Sequence, residues 1–152
     1  MFRFSALLFL LLLSRSYATE LSIKYDDKVD ATYYQVGEYM NYYLSDGEQK
    51  LYIGTYRQAP ILHKFDSVCL IECGNKSNEL FLITTDEGKI KLSNILRQVH
   101  ELYPTSATFP LFVDAVHQMP NGKISMRFYS PTDNKEFVVY LDKNLKLRRY
   151  PD

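Results

Sequence analysis

The sequence feature that most constrains the fold is the Asn121-Gly122 pair, which lies between two stretches with the composition of β-strands. Asn-Gly is the preferred dipeptide of the tight turn that joins two antiparallel strands, because both residues tolerate a positive φ. After it, KISMRFY alternates apolar Ile124, Met126 and Phe128 with polar residues, which is typical of a strand with one buried face. The preceding PLFVDAVHQM is the matching strand. The pattern therefore predicts a β-hairpin.

Further strand-like segments lie on both sides of this hairpin. Three of them precede it and are rich in β-branched and aromatic residues: GEQKLYIGTY, ILHKFDSVCLIEC and NELFLITTD. Two more, EFVVYL and NLKLRR, follow the turn formed by Pro131 to Asn134. Residues that favour turns separate the segments, so we predict antiparallel meanders.

Two segments have the spacing of an amphipathic helix. From Val29 to Leu44 apolar residues recur every three or four positions, although the many tyrosines there also favour a strand. From Leu92 to Tyr103 the apolar stripe is clearer, and Pro104 ends it because proline cannot continue a helix. We therefore predict an α+β fold in which two helices pack on an antiparallel β-meander sheet.

The two halves of the chain are weakly similar to each other. One offset aligns Phe81 with Phe137 and Leu70 with Met126. This similarity predicts two tandem repeats, at residues 26–92 and 92–150, each a helix followed by three or four strands. Chance similarity between two β-rich halves is the alternative.

The second half resembles the PepSY-like repeat and its tandem relative, the β-lactamase-inhibitor-like fold. The resemblance covers about residues 92–149 and is carried by NILRQVHELYP, the Asn-Gly turn, KISMRFY and EFVVYLDKNLKL. The chain departs from the pattern at Lys143-Asn144, where the family has a glycine. The resemblance implies an exported protein that binds and restrains another protein, often an enzyme, and it transfers no catalytic residues.

The N-terminal residues have the order of a secretory signal. Arg3 precedes an unbroken apolar run from Ala6 to Leu13, and small residues follow it. The run is shorter than the ~20 residues that span a bilayer; a buried N-terminal helix is the alternative. We predict cleavage after Ala18, which makes residues 1–18 a signal peptide and 19–152 a single α+β domain, secreted or periplasmic.

Composition excludes several classes of function. Basic and acidic side chains are equal in number, 18 each, so we expect no nucleic-acid partner. The three histidines form no cluster with ligand spacing, so we expect no metal and no cofactor. The chain contains no phosphate-binding loop and no hydrolase motif, so we expect that it is not an enzyme.

Cys69 and Cys73 are the only cysteines, and they lie in a predicted strand. An oxidising compartment favours a disulfide between them. Four residues of extended chain span ~13 Å, however, whereas the Cα atoms of bridged cysteines lie within about 7 Å of each other. A bridge therefore requires a bend, and both alternatives stay open. Asn75 begins an Asn-Lys-Ser glycosylation acceptor, which matters only in a eukaryotic secretory pathway.

Tyrosines are the candidate binding residues. Tyr34 and Tyr42 lie off the apolar stripe of the first predicted helix, so we expect both to be exposed, and Tyr39 is a third candidate. Packing of these rings inside the fold is the alternative. We predict an exported protein-binding module, an inhibitor or immunity-type protein that blocks a periplasmic or extracellular enzyme or toxin. The alternatives are a small-ligand carrier with a tyrosine-lined pocket and a hydrolase that uses Cys69 or Cys73 with a histidine.

Overall fold

The computed structural model describes most of the chain in four segments: residues 21–26, 39–74, 78–104 and 110–151. The predicted signal peptide lies outside these segments. The chain divides into two compact units, Met1–Tyr56 and Arg57–Asp152. Within the described segments, no helix is long and apolar enough to span a membrane.

The N-terminal unit contains a three-stranded antiparallel sheet. In spatial order its strands are β1 (Ser22–Asp26), β2 (Met40–Ser45) and β3 (Lys50–Tyr56). Asp46 closes the turn between β2 and β3, because its Oδ1 accepts from the backbone N–H groups of Glu48 and Gln49 at 2.9 and 2.6 Å. Gly47 supplies the positive φ, 95°, that the turn requires.

The helix predicted over Val29–Leu44 is wrong wherever the structure describes that segment. From Met40 onwards the segment forms β2, which pairs with β1 on one side and β3 on the other. Residues 29–38 lie outside the described segments. Tyr42 and Leu44 are buried and Tyr43 between them is partly buried, which is the two-residue period of a strand, and tyrosine favours strands.

The C-terminal unit begins with a four-stranded antiparallel meander. Its strands are β4 (Ile61–Lys64), β5 (Cys69–Cys73), β6 (Glu79–Asp86) and β7 (Lys89–Asn94). The stretch predicted as one strand forms both β4 and β5, because a turn intervenes in which the Phe65 N–H donates to the Val68 carbonyl at 2.9 Å. Glu87 and Gly88 have positive φ values of 49° and 75° and form the tight turn between β6 and β7.

The helix of the described segments, α1 (Ile95–Leu102), follows β7 directly. The Asn94 side chain accepts from the Arg97 N–H at 3.0 Å, which satisfies a donor that has no partner within the helix. Leu92, which the apolar spacing assigns to this helix, instead lies in β7 opposite Ile83. The helix therefore begins later than the sequence predicts, at the point where strand pairing ends.

A second four-stranded meander follows the helix. Its strands are β8 (Phe112–Gln118), β9 (Ile124–Ser130), β10 (Lys135–Leu141) and β11 (Leu147–Arg148), and each pairs with the next. The predicted Asn121-Gly122 hairpin is confirmed, since it joins β8 to β9. Gly122 has a φ of 84°, and its N–H donates to the Met119 carbonyl at 2.9 Å.

One hydrophobic core contains side chains of α1 and of both meanders. Its buried members are Val68, Leu70, Leu80, Leu82, Ile95, Leu96, Val99, Leu111, Ile124, Met126, Phe128, Phe137, Val139 and Leu141. Burial of apolar surface is the main favourable term in folding. Because the two meanders share this core, neither buries its inner face alone.

The predicted fold class is therefore corrected. The described chain is mostly β, in three antiparallel sheets with one short helix, rather than two helices packed on one sheet. The sequence offset that aligns the two halves also fails to match the faces of β6 and β10. Phe137 faces the core, but the aligned Phe81 faces the opposite side, and Leu80 and Leu82 take the core positions. A slip of one residue in a strand moves every side chain to the other face.

Candidate functional site

One face of the N-terminal sheet carries tyrosine, lysine and small polar side chains. The strand register aligns Lys24 of β1 with Tyr43 of β2 and Tyr52 of β3. Residues two positions away on a strand share its face. The set, called the tyrosine–lysine face, is Ser22, Lys24, Asp26, Asn41, Tyr43, Ser45, Lys50, Tyr52 and Thr55. None of these residues is aliphatic.

A β-bulge keeps Thr55 on this face. Tyr43 pairs with Tyr52, but the neighbouring Tyr42 pairs with Gly54, so β3 contains one extra residue. An extra residue in one strand changes the direction of the side chains beyond it. Tyr52 and Thr55 are three positions apart and would face opposite sides of a regular strand, yet their hydroxyl oxygens are 2.7 Å apart.

Gly54 lets the Tyr56 ring pack directly on the backbone at the bulge. A Cβ at this position would lie 2.5 Å from the hydroxyl oxygen of Tyr56 and 2.6 Å from its Cζ. The Tyr56 ring covers the glycine and stacks on Tyr42, with ring centroids 6.4 Å apart. A glycine inside a strand often marks a bulge, so Gly54 is the sequence signal that indicates this geometry.

Direct contacts fix the side chains of the tyrosine–lysine face. The Thr55 hydroxyl donates to Asn41 Oδ1 at 2.6 Å, so the Tyr52 hydroxyl is the donor to Thr55. The rings of Tyr43 and Tyr52 have centroids 5.6 Å apart at an angle of 59°. Lys50 Nζ lies 4.0 Å from the centroid of Tyr43. Aromatic pairs contribute about 0.5–1.5 kcal/mol, and exposed cation–π contacts about 0.5–1 kcal/mol.

Three residues of the face are exposed, and the face carries a small positive charge. Tyr52 is 53% exposed, and Lys24 and Lys50 are also exposed. Tyr43 lies between the two lysines, and Asp26 is the one carboxylate among the residues of the face. Two ammonium groups beside an aromatic pair favour a partner surface that carries carboxylates.

Two of the three predicted tyrosines lie in the described segments, and neither belongs to the tyrosine–lysine face. Tyr34 lies outside the described segments, and Tyr39 is partly buried and precedes β2. Tyr42 is only 6% exposed, on the opposite face of β2. The expectation that it points outward is wrong because that expectation came from a helical period. A two-residue period in MNYYL selects Tyr43 instead.

Cys69 and Cys73 both lie in β5, and no disulfide joins them. Their side chains share a face with Ile71, and all three are buried. Burial raises the pKa of the Cys69 thiol, and nearby Lys64 offsets this only in part. The Cys73 thiol donates to Glu79 Oε2 at 3.7 Å. A buried thiol beside a carboxylate is a poor nucleophile, because the thiolate is the reactive form.

His63 lies on the other face of the same sheet from the cysteines. It pairs with Leu70 of the hydrophobic core, whereas Cys69 lies one position away on β5 and faces the opposite side. His63 Nε2 is 2.8 Å from Glu72 Oε2, and the ring stacks on Phe65 with centroids 6.2 Å apart. The sheet itself therefore separates this imidazole from both thiols.

The described segments contain no group of three or more His, Cys, Asp or Glu side chains that could hold a metal ion. Asn75, the predicted glycosylation acceptor, lies outside the described segments. No protein-family model, curated protein or solved structure matches the chain. Function is therefore inferred from the tyrosine–lysine face and from the rest of the described chain.

Proposed function

We propose that the protein is an exported protein-binding module and that the tyrosine–lysine face is its contact surface. The observation that carries the proposal is a row of side chains, each in contact with the next: Lys50, Tyr43, Tyr52, Thr55 and Asn41. This row crosses β2 and β3 and includes an exposed tyrosine.

The composition of the face supports protein binding. Tyrosine offers a large contact area with few torsions to immobilise, and serine, threonine and asparagine form adaptable hydrogen bonds; antibody combining sites use the same mixture. A sheet face that packs inside a protein is rich in valine, isoleucine and leucine. The tyrosine–lysine face contains none of these residues.

The contacts within the face also favour binding energetically. Immobilising a side chain at an interface costs about 0.5–1.5 kcal/mol when the chain is free to rotate. Tyr52 is already held through Thr55, and Tyr43 lies between Lys50 and Tyr52. Folding therefore already immobilises these side chains in part, and binding a partner costs less free energy.

The specific form we propose is an inhibitor or immunity-type protein that covers a periplasmic or extracellular enzyme or toxin. Such a protein acts by occupying a surface, so it needs no nucleophile and no metal. Lys24 and Lys50 favour a partner with an acidic surface, and the association rate should fall as salt is added.

Export is proposed from the order of residues 1–18, and intact mass tests it. The secreted protein should begin at Thr19. A secreted protein that begins at Met1 would contradict this part of the proposal.

Site-specific photocrosslinking tests the contact surface. We would replace Tyr52 with the photoreactive residue p-benzoylphenylalanine and, as a matched control, make the same replacement at Tyr25. Tyr25 is 67% exposed on the same sheet but pairs with Tyr42 on the opposite face. A discrete protein adduct from position 52 and none from position 25 is expected. An adduct from position 25 alone, or from neither position, would contradict the proposal.

A further inference from the structure

The outer face of the second meander contains a cavity of about 320 Å³. Its lining residues are Lys123, Tyr140, Asp142, Arg148 and Tyr150. In the strand register Tyr140 of β10 lies opposite Arg148 of β11. The volume is at the lower end of the range for small-molecule sites.

Asp142 positions the guanidinium of Arg148 at this cavity. Oδ2 of Asp142 accepts from Arg148 Nε at 2.8 Å, while Oδ1 accepts from the backbone N–H groups of Asn144 and Lys146 at 2.9 and 3.0 Å. The carboxylate is therefore fixed by the turn that it closes. The terminal nitrogens of Arg148 make no hydrogen bond to another residue of the described segments.

Lys123 also lines the cavity. Its ammonium donates to the Pro151 carbonyl and so holds the C-terminal residues beside the cavity. An ammonium has three donors, so further donors remain for a ligand. Within the described segments the hydroxyls of Tyr140 and Tyr150 form no hydrogen bond, and Tyr150 is 70% exposed.

The charges of the lining favour an anion. Lys123 and Arg148 carry two positive charges against the single negative charge of Asp142. Arginine presents parallel N–H groups that match the two oxygens of a carboxylate or a phosphate. The terminal nitrogens of the Arg148 guanidinium are therefore suited to bind an oxyanion.

A second cavity, of about 400 Å³, adjoins the first and shares Arg148 and Tyr150 with it. Leu102, Leu147 and Arg149 complete its lining. The two leucines pack against the hydrophobic core on the inner side of the edge strand β11, so the second cavity continues around that edge from Arg148 and Tyr150. An inorganic anion would leave the Tyr150 ring uncovered, whereas an organic anion would cover it.

We propose that this double cavity binds a small organic anion. A carboxylate or phosphate group of the ligand accepts hydrogen bonds from Arg148 and Lys123, and an attached ring packs on Tyr150, which lines both cavities. This site is separate from the tyrosine–lysine face and does not depend on the function proposed for that face.

Calorimetric titration of the full chain tests the proposal with four probes: phenyl phosphate, benzoate, inorganic phosphate and phenol. At least one aromatic anion should bind saturably, and about tenfold more tightly than inorganic phosphate and phenol, which each offer only half of the contacts. Absence of saturable binding by both aromatic anions would overturn the proposal. Equal affinity for inorganic phosphate would do so as well.

Substitutions assign the binding to the double cavity. Arg148→Gln should weaken binding about tenfold or more, because it removes a charged hydrogen-bond donor. Arg127→Gln is the matched control: Arg127 Nε donates to Asp114 Oδ2 at 2.5 Å on the same sheet face, but Arg127 does not line the cavity. An equal loss in both variants would overturn the assignment. Tyr150→Ser, at a position that is 70% exposed, should also weaken binding with little change in stability, and unchanged affinity there would contradict the proposal.

Discussion

Strands β2 and β5 are both rich in apolar and aromatic residues, but they are buried differently. In β5 the neighbours Leu70 and Ile71 face opposite sides and are both fully buried. In β2 Leu44 is fully buried, whereas Tyr43 is partly exposed on the tyrosine–lysine face. A strand that is buried on both faces cannot contact a partner, and a strand with one open face can. The cysteines, chemically the most conspicuous residues, lie in the closed strand.

Alanine substitutions should produce the largest difference between the two strands. Leu70→Ala and Ile71→Ala should each lower the free energy of unfolding by about 2–5 kcal/mol, since each leaves a cavity in packed surroundings. Leu44→Ala should cost a similar amount, but Tyr43→Ala only about 1 kcal/mol, the value of an aromatic contact. Urea unfolding measures all four. If Tyr43→Ala lowers the free energy of unfolding as much as Leu44→Ala does, the tyrosine–lysine face is buried at β2 and cannot be a contact surface.

The thiols of β5 provide a second test of its burial. Cys69 and Cys73 should react very slowly with a thiol reagent in the folded protein at neutral pH, because both are buried and burial raises the pKa of Cys69. Both should react rapidly in urea, and peptide mapping without reductant should find no bridge. Fast, stoichiometric labelling of the folded protein would show that the face of β5 that carries both cysteines is accessible to solvent.

The cost of a larger residue at the bulge in β3 should depend on the packing of the Tyr56 ring. Gly54→Ala should lower stability by about 1–3 kcal/mol, since the added Cβ displaces the Tyr56 ring. The control is the same substitution in a Tyr56→Ala background. With the ring absent, Gly54→Ala should be neutral or stabilising, because alanine restricts the unfolded chain. An unchanged cost in that background would mean that the ring is not the cause.

A smaller effect is expected at Asp142, where pH is the variable. The Arg148 side chain, followed by the backbone N–H groups of Lys146 and Asn144, holds the pKa of this carboxyl below its ordinary value. Since the folded state has the lower pKa, the ionised group stabilises the fold above pH ~4 and loses this effect as the pH falls through the folded pKa. Asp142→Asn keeps an oxygen acceptor for the turn but removes the charge.

Thermal unfolding of both proteins between pH 7 and pH 2 checks this prediction. The wild type should be the more stable at pH 7, and its advantage should shrink as the pH falls below ~4. An advantage that stays constant over this range would contradict the assigned role of the carboxylate.

Local chemistry explains which parts of the fold were predicted correctly. The hairpin at Asn121-Gly122 was predictable because two adjacent residues determine the turn. The segment around Met40 and Leu44 was not, since apolar residues four positions apart satisfy both a helical period and a strand period. Only pairing with β1 and β3 decides between the two, and that pairing depends on residues distant in sequence.

The candidate site was predictable only in part, for a similar reason. Lys24, Tyr43 and Tyr52 come from three strands that only long-range pairing aligns, and Thr55 joins them through the bulge that Gly54 permits. A glycine inside a tyrosine-rich strand was the one local signal. The shared face of Cys69 and Cys73 follows from strand alternation, but their burial depends on packing that no local pattern encodes.

The most direct test of the proposed function is the affinity for the protein captured at position 52. Tyr52→Ser should raise Kd about tenfold or more, as removal of an exposed tyrosine anchor does at protein interfaces, with the melting temperature nearly unchanged. Tyr25→Ser, the same substitution on the opposite face of the same sheet, should leave Kd unchanged. An unchanged Kd in Tyr52→Ser, or an equal loss in Tyr25→Ser, would contradict the tyrosine–lysine face as the contact surface.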